Sequence, residues 1–379
     1  MTPSAPVRKR VVLGLVGLAA VCGAWAAAPG PAAFEAARPV SVAITVRPVP
    51  LDTKNPAQAT VGSLAYLGGL HVMSDAEGFG GYSGLRVLPD GRLLAISDRG
   101  HWLAVRPVKA NGRLVGLRDG MRGPLLDEAG APLAAPDYDA EGLEVVQGPA
   151  GGLSMLVSFE RNHRIWRYSA PIEAVPVSAG AEPQTEAAQG HPAQGKSLTA
   201  ALRQPPQRLA GWLEGWPGGL PGNGGIEAMA VRGDGAALLL AEDTSMGRFR
   251  RSGDAPWSMV KYQGVPDFKP TDAVFLPVKG RHLALVLSRH FSLMDGVAAT
   301  LELVDLDTVG SDGSLAGKLL ARLAPPLSVD NMEALAVAPR GDGWDVYVMA
   351  DNNQNPLQRT LLLKFALPAA AVPAPVGGK

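Results

Sequence analysis

Residues 80–100 read GGYSGLRVLPDGRLLAISDRG, and this stretch contains the pattern that decides the fold. A small-plus-apolar pair, Gly84-Leu85, opens a short apolar strand. An Asp-Gly turn at Asp90-Gly91 then leads into a second apolar strand, which ends on the polar run Ser97-Asp98-Arg99. Asp-Gly between short apolar strands predicts a β-hairpin, because glycine accepts the positive φ that such turns require.

The same pattern occurs five times along the chain. Its first positions are Ser83, Glu141, Glu227, Asp272 and Glu333, and its second strands end on Asp98-Arg99, Glu160-Arg161, Glu242-Asp243, Ser288-Arg289 and Asp351. Repeated short antiparallel strands without intervening helices indicate a β-propeller. We therefore predict an all-β propeller of five or six blades, with six preferred because the long gap from Glu141 to Glu227 leaves room for a degenerate blade.

The segments outside the repeats carry signals of their own. Arg8-Lys9-Arg10 precedes an apolar run from Val11 to Ala28 with an Ala24-Trp25-Ala26 cleavage motif. This predicts a signal peptide over residues 1–26 and a secreted or periplasmic protein with no membrane contact after cleavage. An uncleaved N-terminal anchor in an exported protein is the alternative, since the apolar run approaches the length of a membrane span.

The chain beyond the signal peptide divides into three parts. Residues 27–39 are assigned to a flexible mature N-terminus, residues 40–368 to the propeller, and residues 369–379 to a flexible C-terminal tail. Within the propeller, residues 171–222 are in part a loop insertion rich in Pro, Ala, Gln and Gly. The strand at Arg359–Leu367 is expected to pair with N-terminal strands and close the ring, which protects its edge.

Composition argues against two classes of function. The 35 basic and 35 acidic residues balance, and no basic block is large enough to indicate nucleic-acid binding. The single cysteine, Cys22, lies in the predicted signal peptide. The mature chain would therefore have no disulfide, no thiolate nucleophile and no cysteine-ligated metal.

The repeated acids are the candidate functional residues, because the innermost strands of a propeller line its axis. We predict Glu141, Glu227 and Glu333 as catalytic acids that bind metal or activate water. The predicted metal ligands are Asp98, Glu160, Glu242, Asp272 and Asp351. Clustered carboxylates repel one another unless they are protonated or bind a cation, and Ca²⁺ is the expected ion because it accepts many oxygen ligands in irregular geometry.

Three arginines follow the same strands. Arg99, Arg161 and Arg289 are predicted to bind phosphate, because a planar guanidinium matches phosphate oxygens. Carboxylates for a metal beside arginines for an anion indicate a metal-dependent hydrolase of small-molecule phosphoesters, with a diester favoured. Each acid or arginine has a structural alternative, namely capping a turn or pairing with the next blade.

Two other functions stay open. A non-catalytic propeller that binds a ligand or partner would use the same loop face. A carboxylesterase would use Ser83, although Gly81-Tyr82-Ser83-Gly84 departs from G-x-S-x-G and leads into a strand rather than a helix. Trp212 and Trp216, in a Gly/Pro-rich segment, are expected either to pack locally or to form a lid or stacking platform.

The repeats resemble a known family, the phytase-like domain described as "esterase-like activity of phytase". The stretches that carry the resemblance are residues 80–100, DAEGLEV (139–145), VSFERNHRIWRY (157–168), GGIEAMAV (224–231), PTDAVFLP (270–277), SRHFS (288–292) and the segment from DNMEALAV to LLLKFAL (330–367). The resemblance implies an exported bacterial propeller with recurrent acids suspected of phosphoesterase or phosphodiesterase chemistry. Those acids fall on Asp98, Glu141, Glu160, Glu227, Glu242, Asp272, Glu333 and Asp351, with Arg99 in the first repeat.

Overall fold

The computed structural model describes residues 38–148, 152–169, 202–294 and 296–373. The predicted signal peptide, nearly all of residues 27–39, residues 171–201 of the predicted insertion and residues 374–379 lie outside the described residues. Within the described ranges, no helix is both long enough and apolar enough to cross a membrane.

The described chain consists of short strands and two 3₁₀ turns. In chain order the strands are β1 (Val40–Ser41), β2 (Thr45–Val49), β3 (Thr60–Val61), β4 (Leu64–Met73), β5 (Tyr82–Val87), β6 (Leu93–Ser97), β7 (His101–Ala110), β8 (Arg113–Pro124), β9 (Ala140–Gln147), β10 (Leu153–Phe159), β11 (Arg164–Ser169), β12 (Gln207–Arg208), β13 (Ile226–Val231), β14 (Ala237–Ala241), β15 (Met246–Arg250), β16 (Ser258–Gln263), β17 (Lys269–Phe275), β18 (Leu283–Ser292), β19 (Gly296–Asp305), β20 (Ser314–Leu323), β21 (Asn331–Arg340), β22 (Gly343–Asp351) and β23 (Leu361–Leu367). The 3₁₀ turns are Leu306–Thr308 and Ala369–Ala371.

These strands form the five blades of a propeller. The first four blades are β5–β8, β9–β12, β13–β16 and β17–β20, and the fifth is β21–β23 followed by β4. The innermost strands β5, β9, β13, β17 and β21 contact one another in that order, and β21 contacts β5 again. The ring therefore closes with the five repeats, and in the described residues the preferred sixth blade is absent.

The fifth blade joins the two ends of the chain, as predicted. Strand β23 pairs with β4, with Leu361 opposite His71 and Leu363 opposite Gly69. The third and fourth blades are also joined, since their outer strands β16 and β20 pair in parallel. Residues 369–373, predicted to be a flexible tail, instead pack on the fourth blade, where Arg281 donates a hydrogen bond to the Pro373 carbonyl (2.6 Å).

The hydrophobic core lies between the blades. One apolar cluster fills each junction of neighbouring blades, for example Leu143 with Ile96 between the first and second, and Ala273 with Leu238 between the third and fourth. Both faces of each central strand are therefore covered, which explains why β6, β14 and β23 are buried at every position and are apolar except at Ser97 and Lys364.

Each innermost strand has a β-bulge near its start. The bulged residues are Ser83, Glu227, Thr271 and Glu333, and in β9 the irregularity covers Glu141 and Gly142 opposite Ser158. A bulge turns a side chain away from the regular alternation of a strand. These bulges place five equivalent side chains at one end of the propeller axis.

Candidate functional site

The bulges bring three predicted catalytic acids together. Glu141, Glu227 and Glu333 occupy equivalent positions on three innermost strands, and each lies close enough to influence the charge of another. Glu227 and Glu333 are each 6% exposed. Their carboxyl groups therefore share one small and largely buried region at the end of the axis.

The ends of the second strands add a second set of side chains. In each blade one residue of that strand lies opposite the residue just before the bulge, as Ser97 does with Tyr82 and Ser288 with Pro270. The residues that follow these pairs are Asp98, Glu160, Glu242, Arg289 and Asp351. The first, second, third and fifth blades thus supply an acid at this position, and the fourth blade supplies an arginine.

We call the resulting group of carboxyls the acidic cluster. It consists of Asp98, Asp139, Glu141, Glu160, Glu227, Glu242, Glu333 and Asp351. Carboxylate oxygens of Asp139, Glu141 and Glu160 lie within 4.8 Å of one another, and so do those of Glu160, Glu227 and Glu242. Glu160 belongs to both groups, and the backbone amides of Gly224 and Gly225 donate to its Oε1 at 2.5 and 2.8 Å.

Arg289 lies inside the acidic cluster. Its guanidinium is 3.0 Å from Glu242 Oε1 and 3.1 Å from Glu333 Oε1. The Asn331 amide also donates to Glu333 Oε1 at 2.7 Å. Lys269 lies at the edge, paired with Asp243 and 3.9 Å from Glu242. Arg289 is therefore the cation most closely surrounded by the acids.

Burial and mutual repulsion change the acidity of these groups. Burial, followed by the charges of neighbouring carboxyls, raises the pKa of Glu141 and of Glu227 well above the ordinary value. Burial raises the pKa of Glu333 to about 7, against the opposing effect of Arg289. The pKa of Asp98 is likewise raised to about 7 by burial and by Asp351. The acidic cluster thus holds protons or binds a cation near neutral pH.

The other two predicted phosphate-binding arginines lie at the rim. Arg161 has a side chain 56% exposed and pairs with Asp139, Nε to Oδ2, at 2.5 Å. Arg99 donates to the Tyr138 hydroxyl at 3.2 Å and lies 3.9 Å from Asp98. These two follow an acid of the cluster by one residue, whereas Arg289 takes the place of such an acid.

Asp272 differs from the prediction that it binds metal in the cluster. Thr271, not Asp272, is the bulged residue of the fourth blade, so Asp272 is equivalent to Ala228 and its side chain faces the neighbouring blade. Its carboxylate pairs with Arg86 (2.9 and 3.1 Å) and accepts from the Leu335 amide (2.7 Å). The ligand set therefore excludes Asp272.

Ser83 holds two blades together. Its hydroxyl donates to the Ala140 carbonyl of the second blade at 2.6 Å, and its side chain is buried. Two further hydroxyls make comparable bonds between blades, Ser158 to Ile226 (2.6 Å) and Thr271 to Met332 (3.1 Å). This structural bond occupies the Ser83 hydroxyl, which argues against Ser83 as a nucleophile.

Sequence reasoning missed two features of the propeller axis. Asp139 belongs to the acidic cluster, and its signal was its position two residues before Glu141 in the quoted stretch DAEGLEV. Arg86 and Glu144 form a buried ion pair at 3.1 Å farther along the innermost strands. Their signal was a charge of each sign at the same position of two apolar repeats.

The donor set of the acidic cluster fits a hard divalent cation. Its two overlapping groups offer carboxylate oxygens only, which Ca²⁺ prefers, and a spacing of up to 4.8 Å is about twice a Ca²⁺–oxygen bond. One buried oxygen, Oδ1 of Asp98, has no hydrogen-bond partner among the described residues. The residues present therefore fit a bound calcium ion.

Similarities of sequence and of structure relate this chain to known proteins. A family model described as "Phytase-like: Esterase-like activity of phytase" matches residues 77–354. No curated protein sequence gives a significant match. Similar solved structures include a GH32 β-fructofuranosidase from Bombyx mori, with 11% identity over 88% of this chain and 63% of that chain and a TM-score of 0.42. They also include a PQQ-bound aldose sugar dehydrogenase from Streptomyces coelicolor (11%, 86% and 100%, 0.36) and the WD40 repeats of RRP9 (9%, 82% and 100%, 0.37).

Proposed function

The chain belongs to the phytase-like family, and on that basis we propose that it is a Ca²⁺-dependent hydrolase of phosphoric esters, with diesters favoured. The observation that supports this proposal most directly is the presence of two sets of three acids that have Glu160 in common, with Arg289 beside them. We further propose that the protein acts outside the cytoplasm, because residues 1–26 have the pattern of a signal peptide.

Seven side chains of the site have roles in this proposal. Asp139, Glu141, Glu160, Glu227 and Glu242 would hold the ion. Bound there, Ca²⁺ would polarise the phosphoryl oxygens and lower the pKa of a bound water.

Two further side chains would act on the ester itself. Arg289 would hold a phosphate oxygen, since a guanidinium donates to it in a fixed fork. Glu333 would accept the proton of the attacking water, because a carboxyl with a pKa of about 7 accepts and releases protons near neutral pH.

The test is hydrolysis of three nitrophenyl esters with Ca²⁺ or with EGTA. We expect turnover of bis(4-nitrophenyl) phosphate, less of 4-nitrophenyl phosphate and none of 4-nitrophenyl acetate, with all activity lost in EGTA. Turnover of the acetate alone would support the carboxylesterase instead. Absence of turnover in every condition would favour the non-catalytic binding propeller.

Glu160→Gln tests the ion site directly. Glutamine keeps an oxygen that can accept from the amides of Gly224 and Gly225. It removes the negative charge of Glu160, which belongs to both sets of three acids. We expect Ca²⁺ affinity, measured by isothermal titration calorimetry, to fall by at least about 100-fold, with turnover falling in parallel. Glu128→Gln, at an exposed site, is the matched control and should behave as wild type. Equal Ca²⁺ affinity in both variants would contradict the assignment.

A further inference from the structure

A cavity of about 320 Å³ lies beside the acidic cluster, between the second and third blades. Its apolar wall includes Leu213, Trp216 and Leu220, from the segment that leads into β13. Its polar wall includes His163, Arg164 and Arg208, from β11, β12 and the turn before β11. Glu214, whose Oε2 accepts from the Leu213 amide (3.2 Å), also lines the cavity. The cavity thus has an apolar body and a polar side with two arginines and one glutamate.

The cavity and the acidic cluster meet at Gly225. A Cβ placed on Gly225 would lie 3.1 Å from Glu160 Cγ and 3.1 Å from His163 Nδ1. Glu160 belongs to both sets of three acids in the acidic cluster, and His163 lines the cavity. The cavity wall and the acidic cluster are therefore adjacent at Gly225.

Arg164 gives the cavity a buried positive charge. Its side chain is buried, with 2% of the residue exposed, and its Nε has no hydrogen-bond partner among the described residues. The terminal nitrogens donate only to backbone carbonyls, of Asn162 (2.8 Å) and Asp137. The rings of Phe159 and Trp166 lie 4.0 and 4.2 Å from its guanidinium. Burial lowers the pKa of Arg164, and the charge of Asp137 opposes this effect. A buried guanidinium that has no direct carboxylate ion pair among the described residues favours an anionic ligand.

The apolar wall is held in place before any ligand binds. Arg248 donates to the carbonyls of Trp212 (3.1 Å) and Glu214 (2.9 Å), and its guanidinium lies 5.1 Å from the centre of the Trp216 ring. Trp212 in turn packs edge-on against Trp257 at 5.4 Å. Preformed cavities with an apolar wall and a few polar groups are typical of small-molecule sites.

We propose that this cavity binds an aryl group carrying a negatively charged substituent, and that this group is the organic part of the ester substrate. Trp216, Leu213 and Leu220 would cover the ring, and Arg164 and Arg208 would face its anionic substituent. The assignment of this aryl group to the ester substrate rests on the proposed function. The binding of an anionic aryl group in the cavity does not.

Calorimetric titration with 2-naphthoate in EGTA tests the binding, because this probe has no phosphorus and no ester. We expect saturable binding to the wild type. Arg208→Gln should raise the Kd at least about tenfold by removing a charge-assisted contact, and Leu220→Trp should abolish binding by filling the cavity. Arg47→Gln, an exposed arginine on β2, is the matched control and should leave the Kd unchanged. No saturable binding, or equal binding in both cavity variants, would overturn the proposal.

Inhibition of turnover tests the link to the ester. 2-Naphthoate should inhibit hydrolysis of bis(4-nitrophenyl) phosphate competitively in the wild type and lose that inhibition in Leu220→Trp. Binding without inhibition would overturn the assignment of the cavity to the substrate. Binding by a protein that hydrolyses none of the esters would contradict the proposed function while supporting the anionic aryl site.

Discussion

Arg86 joins all five blades through one buried guanidinium. Arg86 itself belongs to the first blade. It pairs with Glu144 of the second blade and Asp272 of the fourth. It also donates to the carbonyls of Met229 in the third blade (2.8 Å) and Leu335 in the fifth (2.8 Å). Arg86→Met would leave two buried carboxylates without a counter-charge. We expect the free energy of unfolding, measured in urea, to fall by about 3–5 kcal/mol.

The matched control for that change is Arg118→Met. Arg118 pairs with Asp119 at 2.7 Å, but both side chains are more than half exposed. Surface pairs of this kind contribute about 0–1 kcal/mol. Similar unfolding free energies for the two variants would show that the buried pairs at the axis do not hold the blades together.

Asp98 should make the stability of the calcium-free protein depend on pH. Its folded pKa of about 7 lies above the ordinary value of 3.8, so the folded state binds the proton more tightly than the unfolded state. The contribution of this proton to the free energy of unfolding is fully present below about pH 4 and is lost as pH rises through 7. In EGTA we expect the Tm to fall between pH 5 and pH 8, and to fall less in Asp98→Asn. An identical decrease in the variant would assign the pH dependence to other carboxyls.

The bulge of β9 depends on close approach of the next blade. A Cβ on Gly142 would lie 2.6 Å from Ser158 Oγ and 2.9 Å from the Glu227 carbonyl oxygen. Gly142→Ala should therefore push β9 from β13, lower the unfolding free energy by about 1–3 kcal/mol and weaken Ca²⁺ binding by moving Glu227. Gly116→Ala, where the nearest atom is 3.5 Å away, is the control for thermal unfolding and calorimetry. Wild-type values for both variants would contradict this account.

The bulges of the innermost strands also explain what the sequence could and could not predict. The hairpins, the propeller and the convergence of Glu141, Glu227 and Glu333 follow from Asp-Gly turns and from the repeats. The prediction that Asp272 binds metal is wrong because the fourth repeat has an acid, a small residue and an apolar residue in the expected order, but one position later relative to the bulge. Only the pairing of Asp272 with Leu287 shows that Thr271 is the bulged residue.

Closure of the whole ring depends on strands outside the region that the family model matches. That region, residues 77–354, omits β4 and β23, which pair with each other and complete the fifth blade. Without them β22 would have an unpaired edge, and the clusters on both sides of this blade would lose Leu70, Leu362, Leu363 and Phe365. The proposed ion ligands come from the second and third blades, so their arrangement depends on a folded ring.

We therefore expect the fragment 77–354 to unfold without a cooperative transition and to bind no Ca²⁺, whereas the fragment 38–373 should unfold in one transition. Circular dichroism during heating, with calorimetric titration of Ca²⁺, compares the two. Cooperative unfolding of the shorter fragment at the Tm of the longer one would mean that four blades and one hairpin suffice. In that case β4 and β23 would protect an edge rather than hold the ring closed.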